Sequence, residues 1–121
     1  MGKILVVDDE PETVRMLSTA LELFGHAPIG AFSGKEALEL ARRTPPDAIL
    51  LDLMMPNMDG FEVTRRLREM PETESAPIII ITASQDVEAE DRVRAAGANV
   101  FLRKPISIGQ LADILAQQLK P

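Results

Sequence analysis

The chain has 121 residues, 45% of them hydrophobic, which suits a single domain with its own core and argues against intrinsic disorder. Its formal net charge of −6 argues against a uniformly basic nucleic-acid-binding surface, and the absence of cysteine excludes disulfides and thiolate zinc sites. With one histidine and no apolar stretch near the ~20 residues of a membrane span, we expect a cytoplasmic protein without a histidine-based metal site.

Hydrophobic periodicity predicts five strands alternating with five helices. Short, unbroken apolar runs indicate strands, whereas apolar residues three or four positions apart indicate one face of a helix. The predicted strands are, in chain order, residues 3–7, 26–31, 48–51, 78–81 and 100–102. The predicted helices that follow them are residues 11–24, 34–44, 60–70, 86–96 and 108–119.

Several helix boundaries carry their own signals. Pro11 suits the first position of a helix because its missing N–H costs nothing there, and Gly25 is suited to follow the end of that helix. Ser33 and Ser107 are each followed three residues later by Glu or Gln, which is typical of a capping box. These signals place the starts of the first, second and fifth helices.

The alternation of strands and helices implies a parallel sheet covered by helices on both faces, with right-handed crossovers. Pro28 lies in the weak second strand and indicates a sheet edge, where a missing N–H matters least. Four consecutive isoleucines, Ile78 to Ile81, make the fourth strand the best candidate for the sheet centre. No linker interrupts the pattern, so residues 1–121 are interpreted as one domain.

Polar residues stand where four of the strands end. Asp8 and Asp9 follow the first strand, Asp52 the third, Thr82 the fourth, and Lys104 comes two residues after the fifth. The carboxyl ends of parallel strands share one edge of the sheet, so these side chains are expected to converge. Three crowded carboxylates resist ionisation unless a cation relieves them, and oxygen ligands favour Mg²⁺ or Mn²⁺. With a carboxylate nucleophile, an ammonium and a hydroxyl, the residues predict an aspartyl-phosphate at a magnesium site.

The sequence resembles the receiver domain of bacterial two-component response regulators over essentially its full length. The residues that carry the resemblance are Asp8-Asp9, Asp52 with Pro56 and Gly60, Thr82-Ala83, and Lys104-Pro105. The resemblance implies a flavodoxin-like, doubly wound (βα)₅ fold with strand order 2-1-3-4-5. It also implies a phosphoprotein of phosphorelay signal transduction that catalyses its own phosphorylation and dephosphorylation, rather than an enzyme that turns over a substrate.

The resemblance further implies a role for each matching residue. Asp52 corresponds to the phosphoacceptor, which takes its phosphoryl group from a sensor histidine kinase or a phosphotransfer protein. Asp8 and Asp9 correspond to the acids that bind Mg²⁺ together with Asp52 and the Met54 backbone carbonyl. Backbone groups of Met54 and Ala83 correspond to contacts with the phosphoryl group.

Three further positions correspond to the switch itself. Lys104 matches the lysine that contacts the phosphoryl group, and the Lys104–Pro105 peptide matches a cis bond. Thr82 matches the hydroxyl that moves toward the phosphate, and Phe101 matches the aromatic that turns inward when that hydroxyl moves. The face made by the fourth helix, the fifth strand and the fifth helix is then the expected surface for a downstream partner.

The phosphoryl group is expected to be long-lived. Met54 and Ser84 occupy the two positions that tune phosphate lifetime in the family, and neither side chain carries an acid or amide to orient an attacking water. Three other functions stay open at this point. They are a Mg²⁺-dependent phosphohydrolase, a degenerate receiver that binds partners without phosphate, and, more distantly, a flavin-binding domain.

Overall fold

The computed structural model describes residues 2–119. The strands β1 to β5 are Lys3–Val7, Ala27–Ala31, Ala48–Leu51, Ile78–Thr82 and Val100–Arg103. The helices α1 to α5 are Pro11–Leu23, Gly34–Arg43, Gly60–Glu69, Ala89–Ala96 and Ile108–Gln118. All neighbouring strands are parallel, in the order β2-β1-β3-β4-β5, which confirms the predicted doubly wound fold. Every helix within residues 2–119 falls short of the length and apolarity that a bilayer crossing requires.

The strand positions follow the predictions with one exception. β2, which contains Pro28, lies at the edge of the sheet as predicted. The middle strand is β3, so the prediction that β4 forms the sheet centre is wrong by one place. Both strands are buried along their whole length, because helices cover both faces of the sheet. Composition therefore does not distinguish the central strand from its neighbour.

The sheet separates two hydrophobic cores. Ile4 and Val6 of β1 face a core shared with α1 and α5, whereas Leu5 and Val7 face a core shared with α2, α3 and α4. This alternation follows from the two-residue period of a strand. Each large aliphatic side chain fully buried in this way contributes about 1.5–3 kcal/mol relative to its exposed state. The sheet is thus a rigid support for the loops at its edges.

Side-chain caps begin three of the helices. An oxygen of Ser33, of Asp59 and of Ser107 accepts a hydrogen bond from the backbone N–H three residues later, at 3.1, 3.0 and 3.0 Å. The caps at Ser33 and Ser107 were predicted from sequence. Each such cap typically contributes ~1 kcal/mol.

Helix α4 begins three residues later than predicted, at Ala89 instead of Asp86. The Ser84 hydroxyl accepts the Asp86 N–H at 3.2 Å, and the Asp86 carboxylate accepts the Glu88 N–H at 2.9 Å. Short polar side chains of this kind compete with the helix for backbone donors. Residues 83–88 therefore form a β4–α4 loop instead of the first turn of α4.

Candidate functional site

The carboxyl edge of the sheet brings the predicted polar residues together. One carboxylate oxygen from each of Asp8, Asp9 and Asp52 lies within 4.8 Å of the others. The Lys104 Nζ lies 3.2 Å from Oδ2 of Asp8. Asp8 and Asp52 are buried, whereas Asp9 is exposed. The result is a small acidic crevice that has an ammonium group at its margin.

The backbone places the two buried carboxylates by extending the sheet one residue beyond its strands. The Asp8 N–H donates to the Ala31 carbonyl at 3.2 Å, and the Asp52 N–H donates to the Val7 carbonyl at 3.0 Å. The Met54 N–H in turn donates to a carboxylate oxygen of Asp52 at 3.3 Å. Contacts with neighbouring strands therefore fix the main chain at both acids, which sets the positions from which the two carboxylates extend.

The loop after β3 folds back directly behind Asp52. The Gly60 N–H donates to the Leu53 carbonyl at 3.0 Å. A Cβ at position 60 would lie 2.6 Å from the Leu53 Cα and 2.7 Å from the Asp52 carbonyl oxygen, closer than real Cβ contacts permit. In the sequence, Gly60 marks the predicted start of the third helix. Its further role, which is to let the loop approach the backbone of Asp52 and Leu53, arises only in the folded chain.

The electrostatic environment makes the negative charge of Asp52 unfavourable. Burial raises the pKa of Asp52 above its ordinary value, and the nearby Asp8 charge acts in the same direction. The Met54 N–H, the Lys104 ammonium and the Thr82 hydroxyl oppose this shift without cancelling it. A bound cation would relieve the repulsion. The donor set consists of carboxylate oxygens, which fits a hard divalent ion such as Mg²⁺.

Strands β4 and β5 position the hydroxyl and the ammonium. The Lys104 N–H donates to the Thr82 carbonyl at 2.8 Å, which joins the ends of the two strands. Thr82 is fully buried, and its hydroxyl accepts the Ser84 N–H at 3.2 Å. The Lys104–Pro105 peptide is cis, as predicted. The contact of the Met54 carbonyl with Mg²⁺ stays a prediction, as do the contacts of the Met54 and Ala83 backbone with a phosphoryl group.

Phe101 and Arg103 form a pair on one side of β5. Phe101 is 9% exposed and belongs to the core shared with α2, α3 and α4. The Arg103 guanidinium carbon lies 4.9 Å from the centre of the Phe101 ring. The same guanidinium donates to the carbonyls of Ser84 and Asp86. Sequence reasoning missed Arg103, because an arginine at a strand end looks like any solvated surface charge.

The sequence and the fold are similar to those of known proteins. Residues 4–116 match the family model of the response regulator receiver domain. Protein PilH of Pseudomonas aeruginosa is 37% identical over 106 residues, which is 88% of each chain. The structure of the chemotaxis protein CheY4 of Vibrio cholerae has a TM-score of 0.93 at 33% identity and covers 98% of this chain and 99% of its own. The chain belongs to the response regulator receiver domain family of two-component systems.

A further solved relative bears on the acidic crevice. The receiver domain of a sensor histidine kinase from Pseudomonas aeruginosa PAO1 is 30% identical, with a TM-score of 0.89 over 98% of this chain and 97% of its own. That protein has a magnesium ion coordinated in its active-site cleft. The resemblance inferred from the sequence motifs is thus confirmed at the level of family and fold.

Proposed function

We propose that this receiver domain is a cytoplasmic, phosphorylation-activated switch whose acceptor is Asp52. A histidine kinase or phosphotransfer protein supplies the phosphoryl group, and the reaction depends on Mg²⁺. The observation that carries the proposal is the buried Asp52 carboxylate, placed by main-chain contacts beside Asp8 and Asp9 and near Lys104. A carboxylate is costly to bury, and a reactive role of its oxygens explains why one is buried here.

Asp52 acts as the nucleophile in the proposed reaction. Its carboxylate oxygen forms a bond to phosphorus while the bond between phosphorus and the donor's imidazole nitrogen breaks, and the electron pair of that bond stays on the nitrogen. The Lys104 ammonium, which contacts Asp8 at 3.2 Å, is close enough to stabilise the phosphoryl oxygens. The Thr82 hydroxyl and the Ala83 N–H are proposed as further donors to those oxygens.

Asp8, Asp9 and Asp52 are the residues proposed to hold Mg²⁺, together with the Met54 backbone carbonyl. The three clustered carboxylates and the raised pKa of Asp52 support this assignment. When bound, the ion supplies positive charge that offsets the negative charge of the carboxylates and the phosphoryl oxygens. Mn²⁺ is expected to replace it, because it prefers the same oxygen ligands.

The proposed output surface consists of α4, β5 and α5. The buried residues of α4 are Ala89 and Val93, whose side chains are small, so little apolar surface anchors this helix. A weakly anchored helix is suited to shift when Thr82 and Phe101 change position. Phosphorylation is therefore expected to move the amide resonances of α4 and β5. Resonances that stay in place would contradict this surface assignment.

We further propose that the protein is not an enzyme that turns over a separate substrate. A phosphohydrolase working through an aspartyl-phosphate needs a group to protonate the leaving alcohol and activate water. The residue two positions after Asp52 is Met54, whose exposed thioether has no such capacity. Sustained release of phosphate from small phosphomonoesters would favour the phosphohydrolase instead.

The proposal is tested by incubating the protein with acetyl phosphate and Mg²⁺ and measuring its intact mass. The wild type is expected to gain one phosphoryl group, and Asp52→Asn is expected to gain none. Asp47→Asn is a matched control, because Asp47 is an exposed aspartate at the opposite edge of the sheet that accepts the Lys3 N–H. A wild-type mass that stays unchanged, or equal phosphorylation of Asp52→Asn, would contradict the proposal.

A further inference from the structure

Arg103, at the end of β5, connects the β4–α4 loop to the strand that neighbours β4. Its Nε–H donates to the Ser84 carbonyl at 3.1 Å, and a terminal N–H donates to the Asp86 carbonyl at 2.9 Å. Within residues 2–119, the other hydrogen bonds of loop residues 84–88 join groups no more than four positions apart. Arg103 therefore supplies the long-range hydrogen bonds that hold this loop.

The same guanidinium covers the Phe101 ring. Phe101 and Arg103 are two positions apart on β5, so their side chains leave the same face of the sheet. The guanidinium carbon lies 4.9 Å from the ring centre, within the range of a cation–π contact. One side chain thus contacts both the buried aromatic and the loop.

The loop contact leads on to the acceptor site. Arg103 holds the carbonyl of Ser84, and the N–H of Ser84 binds the Thr82 hydroxyl at 3.2 Å. Thr82 ends β4 next to the acidic crevice, where its hydroxyl lowers the pKa of Asp52. A displacement of Ser84 therefore affects the hydroxyl that is proposed to meet the phosphoryl group.

We propose that Arg103 is a positioning residue that couples the burial of Phe101 to the placement of the β4–α4 loop, and through Ser84 to the Thr82 hydroxyl. This inference rests on the proposed function, because the coupling matters once Asp52 carries a phosphoryl group. Arginine is required for it. The planar guanidinium offers two directed donors and a stacking face at once, whereas a lysine ammonium offers neither the fork nor the face.

Arg103→Lys is the informative variant. It keeps the positive charge near the crevice and removes both the pair of directed donors and the planar face that stacks on Phe101. Arg65→Lys is the matched control. Arg65 is an exposed arginine on α3 whose guanidinium donates to the Glu62 and Glu69 carboxylates and makes no contact with the loop. Thermal unfolding of both variants checks that each is folded.

The first measurement is hydrogen exchange at the loop amides of the unphosphorylated protein. We expect the amides of Ser84, Asp86 and Glu88 to exchange about tenfold faster in Arg103→Lys, the change that loss of one hydrogen bond to a charged group produces. Arg65→Lys should exchange like the wild type at these positions. Unchanged exchange in Arg103→Lys would overturn the inference, whether or not the protein accepts a phosphoryl group.

The second measurement is the affinity for beryllofluoride, a phosphoryl mimic, in the presence of Mg²⁺. Arg103→Lys is expected to weaken binding about tenfold in the wild-type background and much less in a Phe101→Leu background, because the two residues act together. Equal losses in both backgrounds would refute the coupling. A wild-type protein that binds no beryllofluoride would count against the proposed function, and the exchange measurement would still decide the role of Arg103 in the loop.

Discussion

The amino edge of the sheet, where the parallel strands begin, and the carboxyl edge, where they end, place the basic residues Arg68 and Lys104 in opposite circumstances. At the amino edge, Arg68 donates to the Gly97 carbonyl at 2.9 Å, the Thr73 carbonyl at 2.8 Å and the Asn99 side-chain oxygen at 2.7 Å. At the carboxyl edge, Lys104 has its hydrogen bond to Asp8 at 3.2 Å, beside two further carboxylates. Arg68 therefore closes a network of neutral acceptors, whereas Lys104 stands beside an excess of negative charge.

The difference between the edges is one of charge and not of hydrogen bonding. Across residues 2–119, every buried side-chain nitrogen or oxygen has a hydrogen-bond partner. Burial lowers the pKa of Arg68, yet neutral carbonyls complete its environment. Burial and Asp8 raise the pKa of Asp52, and the protein alone does not complete that environment. The uncompensated charge at the carboxyl edge supports the proposed cation and phosphoryl site, whereas the amino edge has the character of a structural support.

The largest expected effect is on the rate of phosphorylation and comes from a substitution at the carboxyl edge. Lys104→Ala should slow phosphorylation by acetyl phosphate about 100-fold, because one directed charge on a transition-state oxygen typically contributes that much. Initial rates measured by intact mass test this. Arg66→Ala is the control, since Arg66 pairs with Glu62 on the exposed face of α3. A rate within twofold of the wild type would show that Lys104 does not contact the phosphoryl group.

A substitution at the amino edge should instead change the stability of the fold. Arg68→Ala is expected to lower the free energy of unfolding by about 2–3 kcal/mol, because it removes several hydrogen bonds from a charged donor to partly buried acceptors. Urea unfolding measures the loss, and the phosphorylation rate of the remaining folded protein should stay near that of the wild type. A large drop in rate without a drop in stability would erase the contrast between the two edges.

The expected long phosphoryl lifetime sharpens the comparison, because the carboxyl edge also lacks a group to activate water at Met54 or Ser84. Met54→Asn combined with Ser84→Glu should speed dephosphorylation about tenfold or more, as a positioned acid or amide orients the attacking water. Decay of the phosphorylated mass measures the rate. Met16→Asn, at another exposed methionine, should leave the decay unchanged. A double variant that decays like the wild type would reject this explanation of lifetime.

The smallest expected effect concerns the stability cost of the buried Asp52 carboxylate. Because the folded pKa of Asp52 is raised above 3.8, its charged form disfavours folding at neutral pH. In a chelator, Asp52→Asn should therefore unfold at higher urea than the wild type at pH 7. That advantage should shrink as the pH falls through the folded pKa and vanish below 3.8, where both states of the wild type are protonated. Added Mg²⁺ should reduce or reverse it, since binding stabilises the native wild type.

The amino-acid sequence by itself determined the alternation of five strands and five helices, the edge position of β2 and the gathering of Asp8, Asp9 and Asp52. These features follow from local signals, namely periodicity, proline and capping residues, and from the rule that parallel strands end at a common edge. The carboxylates converge because each directly follows a strand. Motifs of this kind were enough to identify the family.

Only the three-dimensional structure decided which strand is central, where α4 begins, why position 60 is glycine, and what Arg68 and Arg103 do. The start of α4 depends on local hydrogen bonds that helix periodicity does not reveal, whereas the roles of the two arginines depend on contacts between residues far apart in the chain. Arg68 reaches Asn99 across 31 positions, and Arg103 reaches Ser84 across 19. No local pattern encodes such a pairing, because the same arginine in another fold would extend into solvent.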